Sequence, residues 1–555
     1  MDILFCNLYN KEVRIAVILG LEEQMNSKVT FKPYNMNQLK LPIDLEVDIS
    51  DNHLVKIVNN AIERMDLSPL LKKYKGGGTS AYHPMMMLKV LVYAYTQKIY
   101  TARKIAKALR ENIYFMWISG KQTPNFRTIN LFRSTIMKDI IDEVFVQVME
   151  LLLEEGLVHL QDYFLDGTKI ESKANKYTFV WKKGMEKNKS KLENKIRELI
   201  SQIDYLNDKE NSEYGDKDLE ELGEKPISSE KIEDLAKRIN ERIKAKESTK
   251  VDKSKSVKTD KQEKEKSKTE KKILRILEKD YIPRLRKYEV QEKILNGRNS
   301  YSKTDRDATF MRMKEDHMLN GQLKPGYNVQ IGTENQFILN YSIHQEAGDT
   351  STLPSNIEKF KQMYNRYPQR VIADSGYGSE ENYEYLKAKD IKGYVKYNYF
   401  HKEQKKSFKK QIYRVENLKY DKSKDEYICP NNKRLQYEGT HTEYSKLGYP
   451  KTIRKYTCED CSSCPNKKEC TKSQTNRSIQ INLRQNELRA EAREKLLSDE
   501  GIRLRKRRCI EPESVFGQIK WNGGFKRFLM GGLDKVNLEW GLIAIAHNFR
   551  KWALA

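Results

Sequence analysis

Arg370-Val371-Ile372-Ala373-Asp374-Ser375-Gly376-Tyr377-Gly378 decides how this chain folds. A short apolar run ends on an aspartate and breaks into a Gly-Tyr-Gly turn. The charged, tyrosine-rich segment that follows, Ser379 to Lys389, reads as a helix. Open α/β sheets build their polar sites at the carboxyl ends of strands. Asp374 is therefore a candidate member of such a site, and its companions must come from elsewhere in the chain.

Toward the N-terminus lies a second apolar run, Leu157-Val158-His159-Leu160 and then Tyr163-Phe164-Leu165, which also ends on an acid in Asp166-Gly167-Thr168. Between the two, Gly326 to Ile331 and Phe337 to Ile343 flank a turn at Thr333-Glu334-Asn335-Gln336, a strand-turn-strand signal. Leu353 to Tyr367 reads as a helix, and Gly393-Tyr394-Val395-Lys396-Tyr397 as a last strand. Strand with Asp, hairpin, helix, strand with Asp, helix, strand predicts an α/β fold with a mixed sheet of RNase H-like order.

The remaining segments divide around that core. Residues 1–30 lack periodicity and read as an extension. Residues 31–155 read as an all-helical, DNA-binding domain. In it Leu54, Ile57, Val58, Ala61, Ile62 and Met65 recur at helical steps. Pro84 opens a second helix, with Met87, Leu88, Leu91, Val92 and Tyr95 on its buried side. Thr101 caps a short basic helix, Ala102 to Arg110, and Thr128 begins a long helix that continues to Leu153. Short basic helix, turn and next helix is compatible with a helix-turn-helix-like unit, and equally with a packing domain that has one basic face. The core is expected over 156–182 and 301–397. It is interrupted by a helical or coiled-coil insertion over 183–300, in which Ser248 to Lys268 reads as a charged linker. A basic, cysteine-rich insertion occupies 398–490, and 491–555 forms a C-terminal helical part of the core.

Length and charge bound the function. A chain of 555 residues should hold about two to four structural units. Lys and Arg number 103 against 78 Asp and Glu, a net charge of +25, which suits a polyanionic partner such as nucleic acid. No apolar run reaches the ~18–20 residues that a membrane helix needs. A cytoplasmic, nucleoid-associated protein is expected, with its seven cysteines reduced or metal-bound rather than paired.

Three carboxylates carry the chemistry. Asp166 and Asp374 end strand-like runs, and Glu513 opens a helix in Arg507-Arg508-Cys509-Ile510-Glu511-Pro512-Glu513-Ser514-Val515-Phe516-Gly517-Gln518-Ile519-Lys520. Phosphoryl transfer commonly uses two divalent ions roughly 3.5–4 Å apart, and hard cations take oxygen ligands. Two aspartates on neighbouring strands and a glutamate from a helix laid across them form such a cage.

With these residues in view the chain resembles the DDE transposases of bacterial insertion sequences, which have a retroviral-integrase-like, RNase H-like catalytic domain. The matching stretches are Tyr82-His83-Pro84, Tyr163 to Ile170, Thr304-Asp305-Arg306-Asp307-Ala308, Pro325 to Gln330, Ala373-Asp374-Ser375-Gly376-Tyr377 and Glu513 to Lys520. The resemblance implies an acid triad of Asp166, Asp374 and Glu513 holding Mg²⁺ or Mn²⁺. It also implies double-stranded DNA, both transposon ends and target, as substrate, with cleavage and strand transfer by a homodimer on DNA. Relatives carry a tyrosine, an arginine and a lysine around the last glutamate. Six residues separate Glu513 from Lys520, as that pattern asks, but Cys509 and Lys506 stand where the arginine and tyrosine belong. If Glu511 is the acid, Arg507 fits and the lysine position holds Gln518, so Glu511 competes with Glu513. Lys520, Arg507 and Arg508 are the expected phosphate contacts. The alternatives are an RNase H-like nuclease acting on other substrates and an inactive DNA-binding regulator.

A second constellation is Cys458-x2-Cys461-x2-Cys464-x5-Cys470, with Cys429 upstream. This is zinc-ligand spacing, and a structural Zn²⁺ is expected, with an iron–sulfur cluster as the weaker option. Five cysteines for four ligands leave one spare. Trp117, Trp552 and Trp521 are expected in the core. His344 and Asp349, after the hairpin, are candidates for supporting the acids, with a structural role as the default for the histidine.

Overall fold

Five strands build the body of the central sheet: β1 (Asp162–Glu171), β2 (Leu323–Glu334), β3 (Phe337–His344), β4 (Arg370–Ala373) and β5 (Lys392–Val395). Their order is β3-β2-β1-β4-β5. β1, β4 and β5 run parallel, and β2 and β3 form an antiparallel hairpin. This is the mixed, RNase H-like order read from the sequence. The computed structural model describes residues 31–34, 49–74, 77, 80–214, 227–249, 260–313 and 321–555. The extension expected over 1–30 lies outside the described residues.

β1 is buried along nearly its whole length, as a central strand covered on both faces must be. It does not stop at Asp166, as its apolar run suggested, but continues to Glu171. β4 ends earlier, its last paired residue Ala373 lying opposite Leu165. The edge of β1 is therefore released where Asp166 begins. Asn335 and Gln336, both at positive φ, make the two-residue hairpin turn, the geometry whose twist matches that of paired strands. The helix after the hairpin is shorter than expected, Leu353–Tyr364, and ends on left-handed Asn365.

The chain divides into two compact units, one holding residues up to 173 and from 327 onward, the other 174–312 and the start of β2. In the first unit, the helix Pro84–Thr96 is buried at every position, not on one side only. The final helix, Leu533–Trp552, packs on it, on Ile141–Glu154 and on β3. The long helix expected from Thr128 to Leu153 is broken. Phe126–Leu131 passes into a π-turn, Phe132–Ile136, and a 3-10 turn before Ile141–Glu154 resumes. The π-turn carries Arg133, which is buried and donates to Tyr95 Oη (3.1 Å) and the Tyr100 carbonyl (2.8 Å). Between the basic helix Ala102–Glu111 and Phe126–Leu131 lies a short helix, Ile113–Ile118, that periodicity did not reveal.

In the second unit, four helices, Lys182–Tyr214, Ser229–Thr249, Asp260–Ile276 and Ile282–Leu295, share a core that includes Leu192, Ile196, Ile232, Ile239, Ile273 and Leu285. They are a packed bundle rather than isolated arms. A short strand of this unit, Thr309–Arg312, pairs antiparallel with the start of β2. The linker expected over Ser248 to Lys268 is helical from Asp260 onward, and 250–259 lie outside the described residues. Within the first unit, the 398–490 segment contains an antiparallel five-stranded sheet that sequence reading missed: Lys419–Asp421, Glu426–Ile428, Arg434–Tyr444, Pro450–Cys458 and Ser478–Ile481.

Candidate active site and cysteine cavity

The parallel register of β1 and β4 pairs Asp162 with Arg370 through Leu165 with Ala373. Asp166 and Asp374 are each the next residue, so the sheet itself sets them side by side. Asp374 has left the strand, and its Oδ1 accepts the Gly376 amide at 2.8 Å, capping the turn Ser375–Tyr377. Asp166 Oδ1 accepts the Gly167 amide at 2.8 Å. A Cβ on Gly167 would lie 2.2 Å from Gln330 Nε2 and 2.8 Å from Asp349 Oδ1. One on Gly376 would lie 3.0 Å from Asp374 Oδ1 and 3.7 Å from Asp349 Oδ2. Gly167 is required because the Gln330 amide and the Asp349 carboxylate fill the space a side chain would take, and at Gly376 a Cβ would press on Asp374 Oδ1, with Asp349 in ordinary contact beyond it.

Asp349 is held by amides from β2: Asn328 Nδ2 donates to its Oδ1 at 2.7 Å and Gln330 Nε2 at 2.9 Å. Tyr377 closes this network by donating to Gln330 Oε1. Burial, then the charges of Asp349, Asp166 and Asp374, hold the Tyr377 phenol well above its ordinary value, so it remains a neutral donor. His344 takes the structural role that was its default. Burial lowers it to about 4, and it shares a 2.7 Å hydrogen bond with Ser342.

The glutamate comes from the C-terminal helices. Asp499–Arg508 ends just before Pro512–Gly517, whose first turn contains Glu513. Arg508, buried, reaches Glu513 Oε1 at 3.0 Å and Asp166 Oδ2 at 3.5 Å. Glu513 thus shares a cation with Asp166 while its side chain stays 52% exposed. Glu511 turns elsewhere. It is buried, pairs with Arg507 at 2.9 Å, and accepts the Gln336 amide at 2.7 Å, fastening the β2–β3 turn. Arg507 belongs to the same structure: it also reaches Asp162 at 3.3 Å and lies over the Phe164 ring at 5.1 Å.

Lys520 is not on the surface. It is buried, and its ammonium donates to the Lys169 carbonyl of β1 at 3.1 Å. Trp521, expected in the core, is 54% exposed, with the Lys526 ammonium 3.7 Å from its ring centre; its neighbours in the π-turn, Ile519 and Lys520, take the inward places. Trp117 is buried as expected, and Trp552 stacks on Phe549. One basic group was missed. Lys396, just past β5, is lowered by burial and by Arg508, with Asp374 opposing. No periodicity marks it; only its place one residue past the last strand could have.

Cys429, Cys458, Cys461, Cys464 and Cys470 line one cavity of about 20 Å³, together with Lys433 and Arg477. All five are free thiols. Among the described residues, no group of three or more His, Cys, Asp or Glu side chains converges as a formed metal centre. The carboxylates around Asp166 nonetheless offer hard oxygen donors suited to Mg²⁺ or Mn²⁺. Arg508 shows that a positive charge is already accommodated between two of them. No helix among the described residues is long and apolar enough to cross a membrane.

Two family models match the chain. Residues 43–135 match a transposase domain (DUF772), and residues 428–553 match a transposase DDE domain. The second match contains Glu513 and all five cavity cysteines. No curated protein and no solved structure matches.

Proposed function

We propose that this chain, an insertion-sequence DDE transposase by its two family matches, cuts transposon ends and joins them to target DNA with Asp166, Asp374 and Glu513 as its acids. One observation carries the assignment: Asp166 is next to Asp374 by strand register and shares Arg508 with Glu513. The attachment of Glu511 to the hairpin turn supports Glu513 rather than Glu511 as the third acid. Mg²⁺ or Mn²⁺, when bound by these oxygens, supplies Lewis-acid stabilisation of charge at the scissile phosphate.

The protein's own groups do the rest. Asp166 and Asp374 present carboxylates from a rigid sheet, and Glu513 reaches them from a partly exposed helix. Arg508 balances the acids in the absence of DNA and is positioned to contact a phosphate brought to them. Arg507, paired with Asp162 and Glu511, and Lys520, buried against β1, act as positioning residues rather than as DNA contacts. Exposed Arg503 and Lys506, and Arg103, Lys104, Lys107 and Arg110 on the helix Ala102–Glu111, supply DNA-facing charge.

The test is cleavage and strand transfer of a DNA fragment bearing the element's ends in Mg²⁺, comparing the wild type with Asp374→Ala. Loss of both steps with DNA binding retained is expected. Cleavage that survives the substitution removes Asp374 from the mechanism, and cleavage of unrelated DNA or RNA with equal efficiency favours a general nuclease.

A further inference from the structure

We infer that the cysteine cavity is a structural site for a single Zn²⁺ ion, held by the thiolates of Cys458, Cys461, Cys464 and Cys470. The site stands apart from the proposed DNA chemistry. The small sheet around it has a buried core cluster of Tyr427, Cys429, Leu435, Tyr456, Cys458, Cys461, Ile479 and Ile481. Three of those eight residues are cysteines and only three are aliphatic. That core is small for a five-stranded sheet, and a bound metal would cross-link it. None of the five cysteines is in a disulfide.

Three of the sulfurs accept N–H hydrogen bonds. Arg477, itself buried, donates through Nη1 to Cys470 Sγ at 2.9 Å and through its backbone amide to Cys461 Sγ at 3.5 Å. Asn431 Nδ2 donates to Cys464 Sγ at 3.7 Å. Three sulfurs from one short segment are thus acceptors of N–H groups, the kind of contact that orients ligands around a metal. Cys458 ends its strand three residues before Cys461 and completes the Cys-x2-Cys-x2-Cys-x5-Cys run as the fourth ligand. Cys429 comes from a separate turn, where its amide and carbonyl close onto Lys433 and Asn432. It shares the buried cluster with Cys458 and Cys461 and is assigned as the spare thiol.

Donor chemistry selects the metal. The cavity of about 20 Å³ has room for roughly one water-sized occupant. Four thiolates around one small ion select tetrahedral Zn²⁺. The sulfurs do not yet converge on one point. Cys464 and Cys470, the two that are only half-buried, are the ones that metal would draw inward.

The experiment measures metal on the purified full-length chain, with no DNA present. One zinc per chain is expected, with no acid-labile sulfide. Removal of zinc by a chelator should lower the thermal midpoint, and Zn²⁺ but not Mg²⁺ should restore it. Cys461→Ser and Cys464→Ser should each lose the metal, whereas Cys429→Ser should retain it. Should the variants fail to fold, Co²⁺ loaded into the stripped wild type should give the intense visible bands of a tetrahedral thiolate site. A reduced chain that takes up neither Zn²⁺ nor Co²⁺ overturns the site. Iron with labile sulfide overturns the metal, and zinc loss in Cys429→Ser with retention in Cys458→Ser overturns the ligand set. All these readouts stand whether or not the chain cleaves DNA.

Discussion

Glu511 and Glu513 lie two positions apart, and sequence spacing could not separate them. Their partners differ: one is sealed against the Gln336 amide and Arg507, while the other faces Arg508 and solvent, which supports the proposed role of Glu513. Glu513→Gln should therefore abolish DNA cleavage and leave the urea-unfolding midpoint nearly unchanged. Glu511→Gln should destabilise the fold by about 1–3 kcal/mol, the cost of disturbing a buried charged hydrogen bond, while measurable cleavage remains. The reverse pattern would exchange the two assignments. Asp349 was visible in the sequence only as an acid after a hairpin. Nothing in the spacing revealed that Gly167, next to Asp166, leaves room for Asp349 and the Gln330 amide that holds it. Asp349→Asn preserves its contacts with Asn328 and Gln330 but removes the charge. The Mg²⁺ concentration giving half-maximal cleavage should rise on the order of 10- to 100-fold, the usual effect of a support residue on metal affinity. An unchanged Mg²⁺ titration would leave Asp349 with a structural role alone.

At the scale of elements, apolar runs and turn residues reported the central sheet well, because each strand is buried and bounded by a sharp break. They reported poorly where burial is partial. The strand Arg434–Tyr444 is mostly exposed and lacks the alternation that marks a strand with one buried face. The helix after Thr128 looked continuous because a π-turn leaves no mark on hydrophobic spacing, and only the buried Arg133 betrays it. The last helix was legible as an apolar run, but not the acid inside it. Glu539 is fully buried. Its Oε2 accepts the Leu529 and Met530 amides at 2.9 and 3.1 Å, and its Oε1 has no hydrogen-bond partner among the described residues. Burial raises this carboxyl from 4.5 to about 7, against the amides and Arg133. A folded-state value above the unfolded one means that the native state holds the proton more tightly. Its stability contribution is full below pH 4.5 and is lost as pH rises through about 7. A Glu539→Gln variant lacks that loss. Relative to wild type it should gain about 3 kcal/mol between roughly pH 4.5 and 8, since each tenfold difference in proton affinity between the folded and unfolded chain is worth roughly 1.4 kcal/mol. Urea unfolding at each pH measures it. A difference that stays constant with pH would show that Glu539 remains ionised in the fold.

For the whole molecule, composition supplied the partner class and little else. The excess of 25 positive charges is a statement about counterions rather than about fold. Sequence position alone did not reveal that Arg507 pairs with Asp162 and Glu511 or that Lys520 is buried against the Lys169 carbonyl. In the proposed function exposed charge does the work of association, and it has a measurable signature. Each phosphate neutralised releases condensed counterions, so affinity for duplex DNA should fall on the order of a thousandfold between 50 and 200 mM salt if about six contacts form. Fluorescence anisotropy with labelled duplex, in Ca²⁺ to prevent cleavage, gives the slope. Replacing Lys104 and Lys107 with glutamate on the exposed face of the helix Ala102–Glu111 should flatten that slope by close to two contacts and weaken binding to all duplexes alike. If the same change weakens only duplexes carrying the element's ends, this helix reads base edges rather than backbone. If the slope is untouched, the helical domain does not hold DNA through that face, and the charge of Arg503 and Lys506 beside the acids becomes the surface to test.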